Sequence, residues 1–254
     1  MSENTVEVIT FDLWDTVFAD DSDEPKRAAA GRDPKPVERR NLVEKFLADS
    51  EPVSRELIDT AYDTTDAAFR EVWYGQKITW TVHQRLGVLL KGLKRQLPEE
   101  QLSELVRLHE EMELEFRPDL ATGVTEAIEK LHGKYRLAVI SDAIFSPGRA
   151  LRQLLEGYGI LKYFDAFAFS DEIGYAKPMP IVFETIANQL GVELGRIVHV
   201  GDREQKDIAG PHAVGARGVL CTVIKDRPGD NTKADAICKN FKNLPDIIEK
   251  LNQD

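Results

Sequence analysis

Four short apolar runs each lead to residues that can do chemistry. Val6, Val8, Ile9 and Phe11 lead to Asp12, and Leu137 to Ile140 leads to Ser141-Asp142. Phe164 to Phe169 is followed by Lys177-Pro178, and Ile197 to Val200 ends in Gly201-Asp202, with Asp207 five residues further on. Asp202 is expected to face Asp12 across a sheet edge. Two such carboxylates repel unless a cation lies between them, and oxygen ligands with room left for water and phosphate suit Mg²⁺. Ser141-Asp142, just ahead of a helix start, offers a hydroxyl and backbone N–H groups to an anion. Lys177, fixed beside a proline before another helix, can hold a point charge toward a phosphoryl group. Each feature alone has a plain structural alternative. Asp12 and Asp15 can cap a strand-ending turn, Ser141 can cap another, and Lys177 can be a surface lysine.

These residues need a common edge, and the pattern after Gly123 supplies one. Helices over 124–132, 147–158, 180–190, 207–214 and 245–251 alternate with strands over 135–140, 164–169, 196–200 and 218–223. Alternation of this kind implies right-handed crossovers and a parallel sheet covered on both faces. The strand over 6–11 must join that sheet, because it has no other partner. The expected fold is α/β, a three-layer Rossmann-like core, and in such sheets ligands collect at the carboxyl ends of the strands.

Between the first strand and this core the rhythm is helical. Residues 19–36 read as a loop whose acidic start is a solvated face. From Val37 to Phe116, apolar stripes mark about four helices with no strand of any length. The expected organisation is a core of residues 1–17 and 118–254, with a helical-bundle cap over 18–117 inserted after the first strand. Placed over the carboxyl edge, that insert has the geometry of a lid, and substrate identity should reside in it. Its aromatic stretch, Trp73, Tyr74, Trp80, His83 and Arg85, reads as insert core ahead of a substrate wall. His199, inside an apolar strand, reads as a satisfied buried histidine.

Composition narrows the partners. With 254 residues, 42% hydrophobic and 30% charged, the chain can bury a sizeable core. A formal charge of −11 disfavours nucleic acid and anionic membranes. No apolar run approaches membrane-spanning length, and Met-Ser-Glu-Asn-Thr lacks the regions of a signal peptide. Cys221 and Cys238 have neither metal-ligand spacing nor a disulfide framework around them. A cytoplasmic enzyme acting on a small molecule is expected; the oligomeric state is left open.

The ordered set Asp12-x-x-x-Thr16, Ser141, Lys177-Pro178 and Gly201-Asp202-x-x-x-x-Asp207 resembles the haloacid dehalogenase (HAD) superfamily, and the insert resembles its α-helical cap. The resemblance implies that Asp12 is the nucleophile and forms an aspartyl intermediate. It implies that the Trp14 backbone carbonyl, Asp12 and Asp202 hold Mg²⁺, and that Thr16, Ser141 and the neighbouring Asp142 serve the phosphate. Lys177 would neutralise nucleophile and phosphate, and Asp207 would support the metal waters or the lysine. One position departs. Phosphatases of this family carry a second Asp two residues after the nucleophile as acid and base, and this chain has Trp14 there. Asp15 is expected to point elsewhere. Three readings follow: a Mg²⁺-dependent phosphatase for small phosphorylated metabolites, a 2-haloacid dehalogenase or other C–X hydrolase, and a non-catalytic phosphate-binding protein. The dehalogenases also lack the second Asp but need no metal and tend to replace Gly-Asp, so Gly201-Asp202 favours the first.

Overall fold

The computed structural model describes residues 5–48, 52–227 and 231–252. The first four residues, read above for a leader sequence, lie outside them. Six parallel strands form one sheet in the order β3-β2-β1-β4-β5-β6. They are β1 Val8–Phe11, β2 Arg136–Ser141, β3 Ala166–Phe169, β4 Ile197–Gly201, β5 Arg217–Cys221 and β6 Ala236–Cys238. β1 lies between β2 and β4, so its carboxyl end is the place where the direction of strand succession reverses. Phe11 sits level with Val139 on one side and Val200 on the other. That register brings Asp12, Ser141-Asp142 and Asp202 to one edge.

Burial on both faces explains the unbroken apolar runs. Ile9, Phe11, Leu137 and Val139 pack with Val124, Ile128, Leu151 and Leu154 of two covering helices, α7 (Val124–Leu131) and α8 (Gly148–Gly157). On the other face, Val8, Ala138 and Ile140 pack with Val182, Phe183 and Ile186 of α10 (Pro180–Leu190). The expected 207–214 helix is instead a wide turn over Glu204–Ile208 followed by a short α11, Ala209–Ala213. α12, Leu244–Leu251, closes the chain's order, and a single turn, α9 (Ser170–Ile173), follows β3.

The insert leaves and rejoins the core through two segments that pair. The Ala19 N–H donates to the Asp119 carbonyl at 2.8 Å and the Ala121 N–H to that of Val17 at 2.9 Å. Between them run α1 (Glu24–Ala29), α2 (Lys35–Ala48), α3 (Arg55–Gln76), α4 (Val82–Gly92), α5 (Glu99–Glu110) and the single turn α6 (Met112–Glu115). Ser54 caps α3, and Thr81 and Gln84 close a reciprocal box at the start of α4. Val43, Leu47, Ile58, Leu86, Leu89 and Leu105 form the insert's own core.

The segment expected as a loop with a solvated acidic start keeps Asp20 and Asp21 exposed and is corrected in its middle, residues 24–29. It folds into α1, with Pro25 in its first turn, and Asp23 and Arg27 are fully buried. The charges vanish into pairs: Asp23 with Lys35 at 2.8 Å, and Arg27 with Glu38. Among the described residues no helix is long and apolar enough to cross a membrane.

His109 is buried in the insert between two hydrogen bonds. Its Nδ1–H donates to the Leu105 carbonyl at 2.8 Å, and its Nε2 accepts from the Tyr62 hydroxyl at 2.7 Å. Burial lowers its pKa from 6.5 to about 3. Between those values the folded chain binds fewer protons than the unfolded one, so stability falls as the pH drops, at about 1.4 kcal/mol per pH unit. Melting curves of the parent and His109→Gln from pH 7 down to 4 should differ by this slope, the variant gaining on the parent as the pH drops.

Candidate active site

Each site residue is held where its strand ends. The Asp12 N–H donates to the Val200 carbonyl at 2.9 Å, which extends the β1–β4 pairing by one residue and sets the carboxylate on the edge. Gly201 permits a close approach: a Cβ there would sit 2.3 Å from Cγ of Asp207. After β3, the turn at Gly174 (φ +87°) leads into the Lys177 loop, whose Lys177–Pro178 peptide is cis. That loop is tied to the β2 end, since the Lys177 N–H donates to Oδ1 of Asp142 at 2.9 Å.

The centre is one ammonium among buried carboxylates. Lys177 Nζ lies 2.8 Å from Oδ1 of Asp12 and 2.6 Å from Oδ1 of Asp207. Asp12, Asp202 and Asp207 each offer an oxygen within 4.8 Å of the others. Asp207 is fully engaged. Its Oδ1 also accepts from His199 Nε2 at 3.0 Å, and its Oδ2 accepts the Arg203 N–H at 2.9 Å. His199 Nδ1 in turn meets the Thr10 hydroxyl at 2.8 Å, so the histidine is satisfied at both nitrogens and orients Asp207.

Burial acts first on all of these groups. It raises Asp12, where Lys177 opposes it and the charges of Asp207 and Asp202 reinforce it, and the pKa stands at about 7. Asp202 is raised as well, by burial and by Asp207 against the pull of Arg227. For Asp207, burial is outweighed by the Lys177 charge and the His199 contact, which hold it far below the usual carboxylate range. Lys177 stays charged because Asp12, Asp207 and Asp142 overcome its desolvation. Asp12 and Asp207 share the Lys177 ammonium, and Asp202 shares the Arg227 guanidinium with Asp15.

A cation fits at the oxygen these pairs leave open. Asp202 Oδ1 is buried with no hydrogen-bond partner, and Arg203 Nε stands 3.9 Å from it. Since both Asp207 oxygens are occupied, Asp12 and Asp202 are the carboxylates left to ligate a metal, with Asp207 in support. An oxygen-only donor set of this size suits Mg²⁺.

The remaining residues fall into two groups. Ser141 and Thr16 are both buried, each with a partnerless hydroxyl, and neither lines the cavity described below. Thr16 follows Asp15, whose φ of +57° turns the chain inward. The Asp142 carboxylate is taken by Lys206 Nζ at 2.8 Å and the backbone N–H of Lys177, so it anchors one ammonium and the backbone of the Lys177 loop. Trp14 faces the cavity and packs on Phe18 with ring centroids 6.0 Å apart. Asp15 is engaged elsewhere, by Lys225 Nζ at 2.7 Å and Arg227 Nη2 at 2.8 Å.

Sequence reasoning missed Arg227, whose Nε holds Oδ2 of Asp202 at 2.6 Å while its Nη2 holds Asp15. It follows β5, the neighbour of β4, so the strand order put every residue just past Cys221 near Asp202; no motif marks it. Of the insert's residues, Trp73, Tyr74 and Arg85 were singled out from the sequence, and Lys35, Arg39 and Phe69 were not. A cavity of about 650 Å³ lies between insert and core, walled by Asp12, Trp14, Lys177 and Lys206 below and by Lys35, Arg39, Phe69, Trp73 and Arg85 above. Trp73 and Arg85 therefore line the cavity as well as packing within the insert.

A family model for haloacid dehalogenase-like hydrolases matches residues 6–215. The chain belongs to that family of hydrolases, with a helical insertion between β1 and β2 consistent with a cap. It is similar to the phosphoglycolate phosphatase of Cereibacter sphaeroides, 30% identical over 131 residues, 51% of this chain and 57% of that protein. It is also similar to the glyceraldehyde 3-phosphate phosphatase of Methanopyrus kandleri, 44% identical over 100 residues, 38% of this chain and 43% of that one. The chain thus spans about half the length of these curated relatives. The crystal structure of a 2-haloacid dehalogenase from Pseudomonas syringae shares the fold over 97% of this chain and 99% of its own, with a TM-score of 0.64 at 21% identity.

Proposed function

We propose that this chain is a Mg²⁺-dependent phosphatase that hydrolyses a small phosphorylated metabolite through an aspartyl-phosphate on Asp12, with residues 18–117 as its cap. The observation that carries the reading is the buried, partnerless Oδ1 of Asp202 beside Asp12. Displacing halide from carbon asks for no cation at that place; phosphoryl transfer does. The relatives named as phosphatases of small phosphorylated metabolites support the substrate class.

The Asp12 carboxylate attacks phosphorus, and the ester P–O bond breaks with its electron pair going to the alcohol oxygen. Water then attacks the phosphorus of the acyl phosphate, which frees inorganic phosphate and restores the carboxylate. Bound by Asp12, Asp202 and the Trp14 carbonyl, Mg²⁺ would neutralise charge on the transferring oxygens. Lys177 fixes the Asp12 carboxylate and adds a positive charge beside it. Asp207, held by His199 and the Arg203 N–H, keeps Lys177 in place. The Ser141 hydroxyl, without a partner at the adjoining strand end, is the donor proposed for a phosphoryl oxygen.

Trp14 on the cavity wall, two residues after Asp12, has no proton to give the leaving oxygen. Activated phosphates, whose leaving groups depart as anions, should therefore be favoured over alkyl phosphates. Trp14→Asp should raise turnover of an alkyl phosphate by about 10²- to 10⁴-fold, the usual worth of general acid catalysis. The same wall favours the second reading, a carbon–halogen hydrolase. Protein stripped with chelator and assayed on acetyl phosphate, an aryl phosphate and a 2-haloacid, with and without Mg²⁺, separates the two. Mg²⁺-dependent phosphate release is the expected result, and metal-free halide release would replace the phosphatase with the dehalogenase.

A further inference from the structure

The insert's side of the cavity carries a cation that its own carboxylates leave unmatched. Lys35 is fully engaged, with Asp23 at 2.8 Å, Glu113 at 3.1 Å and Asp21 at 3.3 Å. Arg85 donates to Asp66 at 2.6 Å and to the Ile144 carbonyl at 3.2 Å. Arg39 differs. Only 5% of it is exposed, its Nε is buried without a partner, and its nearest carboxylate oxygen, on Glu113, is 4.0 Å away. Glu113 is already held by Lys35 and by the Ser146 hydroxyl at 2.5 Å. Among the described residues no hydrogen-bond acceptor meets the Arg39 guanidinium.

Such a group is costly to bury, because guanidinium keeps its charge and loses its water. Arg39 is nonetheless held firmly. Its guanidinium carbon lies 3.4 Å from the Phe145 ring centroid, and that of Arg85 lies 4.0 Å from the same centroid. Phe145 belongs to the segment that leaves β2 just after Ser141-Asp142, and Arg85 is bonded to Ile144 of that segment. The two guanidiniums are thus fixed to the loop that flanks the reacting centre, on the wall of the cavity that holds Asp12 and Lys177. A fork of planar donors matches a carboxylate or a phosphoryl group, whereas a neutral hydroxyl would leave the charge uncompensated.

We infer that Arg39, supported by Arg85, is the subsite for a second anionic group on the substrate, so that the substrate is a small organic phosphate anionic at both ends. The inference rests on the phosphatase reading for what happens to the ester, not for what is bound. The cavity's volume of about 650 Å³ suits a molecule of metabolite size.

Binding without turnover tests the subsite by itself. Phosphonoacetate and ethylphosphonate share a non-hydrolysable phosphonate and differ by a carboxylate against a methyl group. Methylenebisphosphonate replaces the carboxylate with a second phosphoryl group. Calorimetric titration with Mg²⁺ present should show one of the doubly anionic ligands binding about 10- to 100-fold tighter than ethylphosphonate, the worth of a charge-assisted contact. Which of the two it is identifies the second group. Arg39→Gln should erase that ratio, and Arg39→Lys, which keeps the charge but not the fork, should retain part of it. Equal affinities in the parent protein, or a ratio that survives in Arg39→Gln, would overturn the inference. So would a nucleoside monophosphate that outcompetes both dianions. If the ratio holds but no phosphate ester is hydrolysed, the phosphatase reading fails and the subsite stands.

Discussion

Asp12→Asn should abolish Mg²⁺-dependent phosphate release, with a loss on the order of 10⁴-fold or more, as for other covalent nucleophiles. The change is nearly isosteric, so the β1 edge and its contact with Val200 should survive. It also has a signature independent of turnover. Burial, with the Asp207 and Asp202 charges, lifts Asp12 from 3.8 to about 7 in the metal-free chain. Between those values the folded state binds more protons than the unfolded state. The stability that Asp12 contributes is therefore full below pH 3.8 and lost as the pH rises through 7. The stability of the chelated parent relative to Asp12→Asn should decline across that window, whatever the other groups contribute to both. Added Mg²⁺ should raise the parent's melting temperature more at pH 8 than at pH 5, since at pH 5 the ion must first displace a proton. Phosphate release persisting in Asp12→Asn would mean that another group is the nucleophile.

The sheet was legible because its strands are buried on both faces. Val8 to Phe11 and Ile197 to Gly201 have no exposed side, so their sequences lack the alternation that a half-solvated strand would show. β6 escaped notice because Ala236–Cys238 is a three-residue edge strand with Ile237 exposed. The 19–36 segment was misread for a related reason. Charge-rich sequence normally faces water, but here Asp23, Arg27 and Lys35 are buried against one another and against Glu38 and Glu113. Composition records charges and not their partners.

The site divides along the same line. Asp12, Lys177, Asp202 and Asp207 could be read because each follows a strand end at a short interval, and parallel strands bring such ends together. Arg227 could not, since its place depends on which strand neighbours which; His199 was legible as a satisfied buried histidine, but its bond to Asp207 was not. Arg39 and Arg85 lie further still from any motif, on α2 and α4, and meet only through Phe145. Groups at strand ends are written locally; the cavity wall that the insert supplies depends on how it docks.

Lys177→Met should have the second large effect, because it removes the one ammonium that the centre shares. Lys177 is 2% exposed and binds Asp12 and Asp207 at once. Without it the Asp207 carboxylate keeps only His199 and the Arg203 N–H, and Asp12 keeps no cation. Leaving a buried charge uncompensated costs about 3–5 kcal/mol, and losing a preorganised charge at the transferring group costs about 10²- to 10³-fold in rate. The two losses are separable. Asp207→Asn in the Lys177→Met background removes an orphaned carboxylate and should recover part of the stability, while activity stays low. Acid should also help, since protonating the carboxylates removes their repulsion, so Lys177→Met should be most stable below neutral pH. A variant that melts like the parent at pH 8 would show that Asp12 and Asp207 are neutralised by some group other than Lys177.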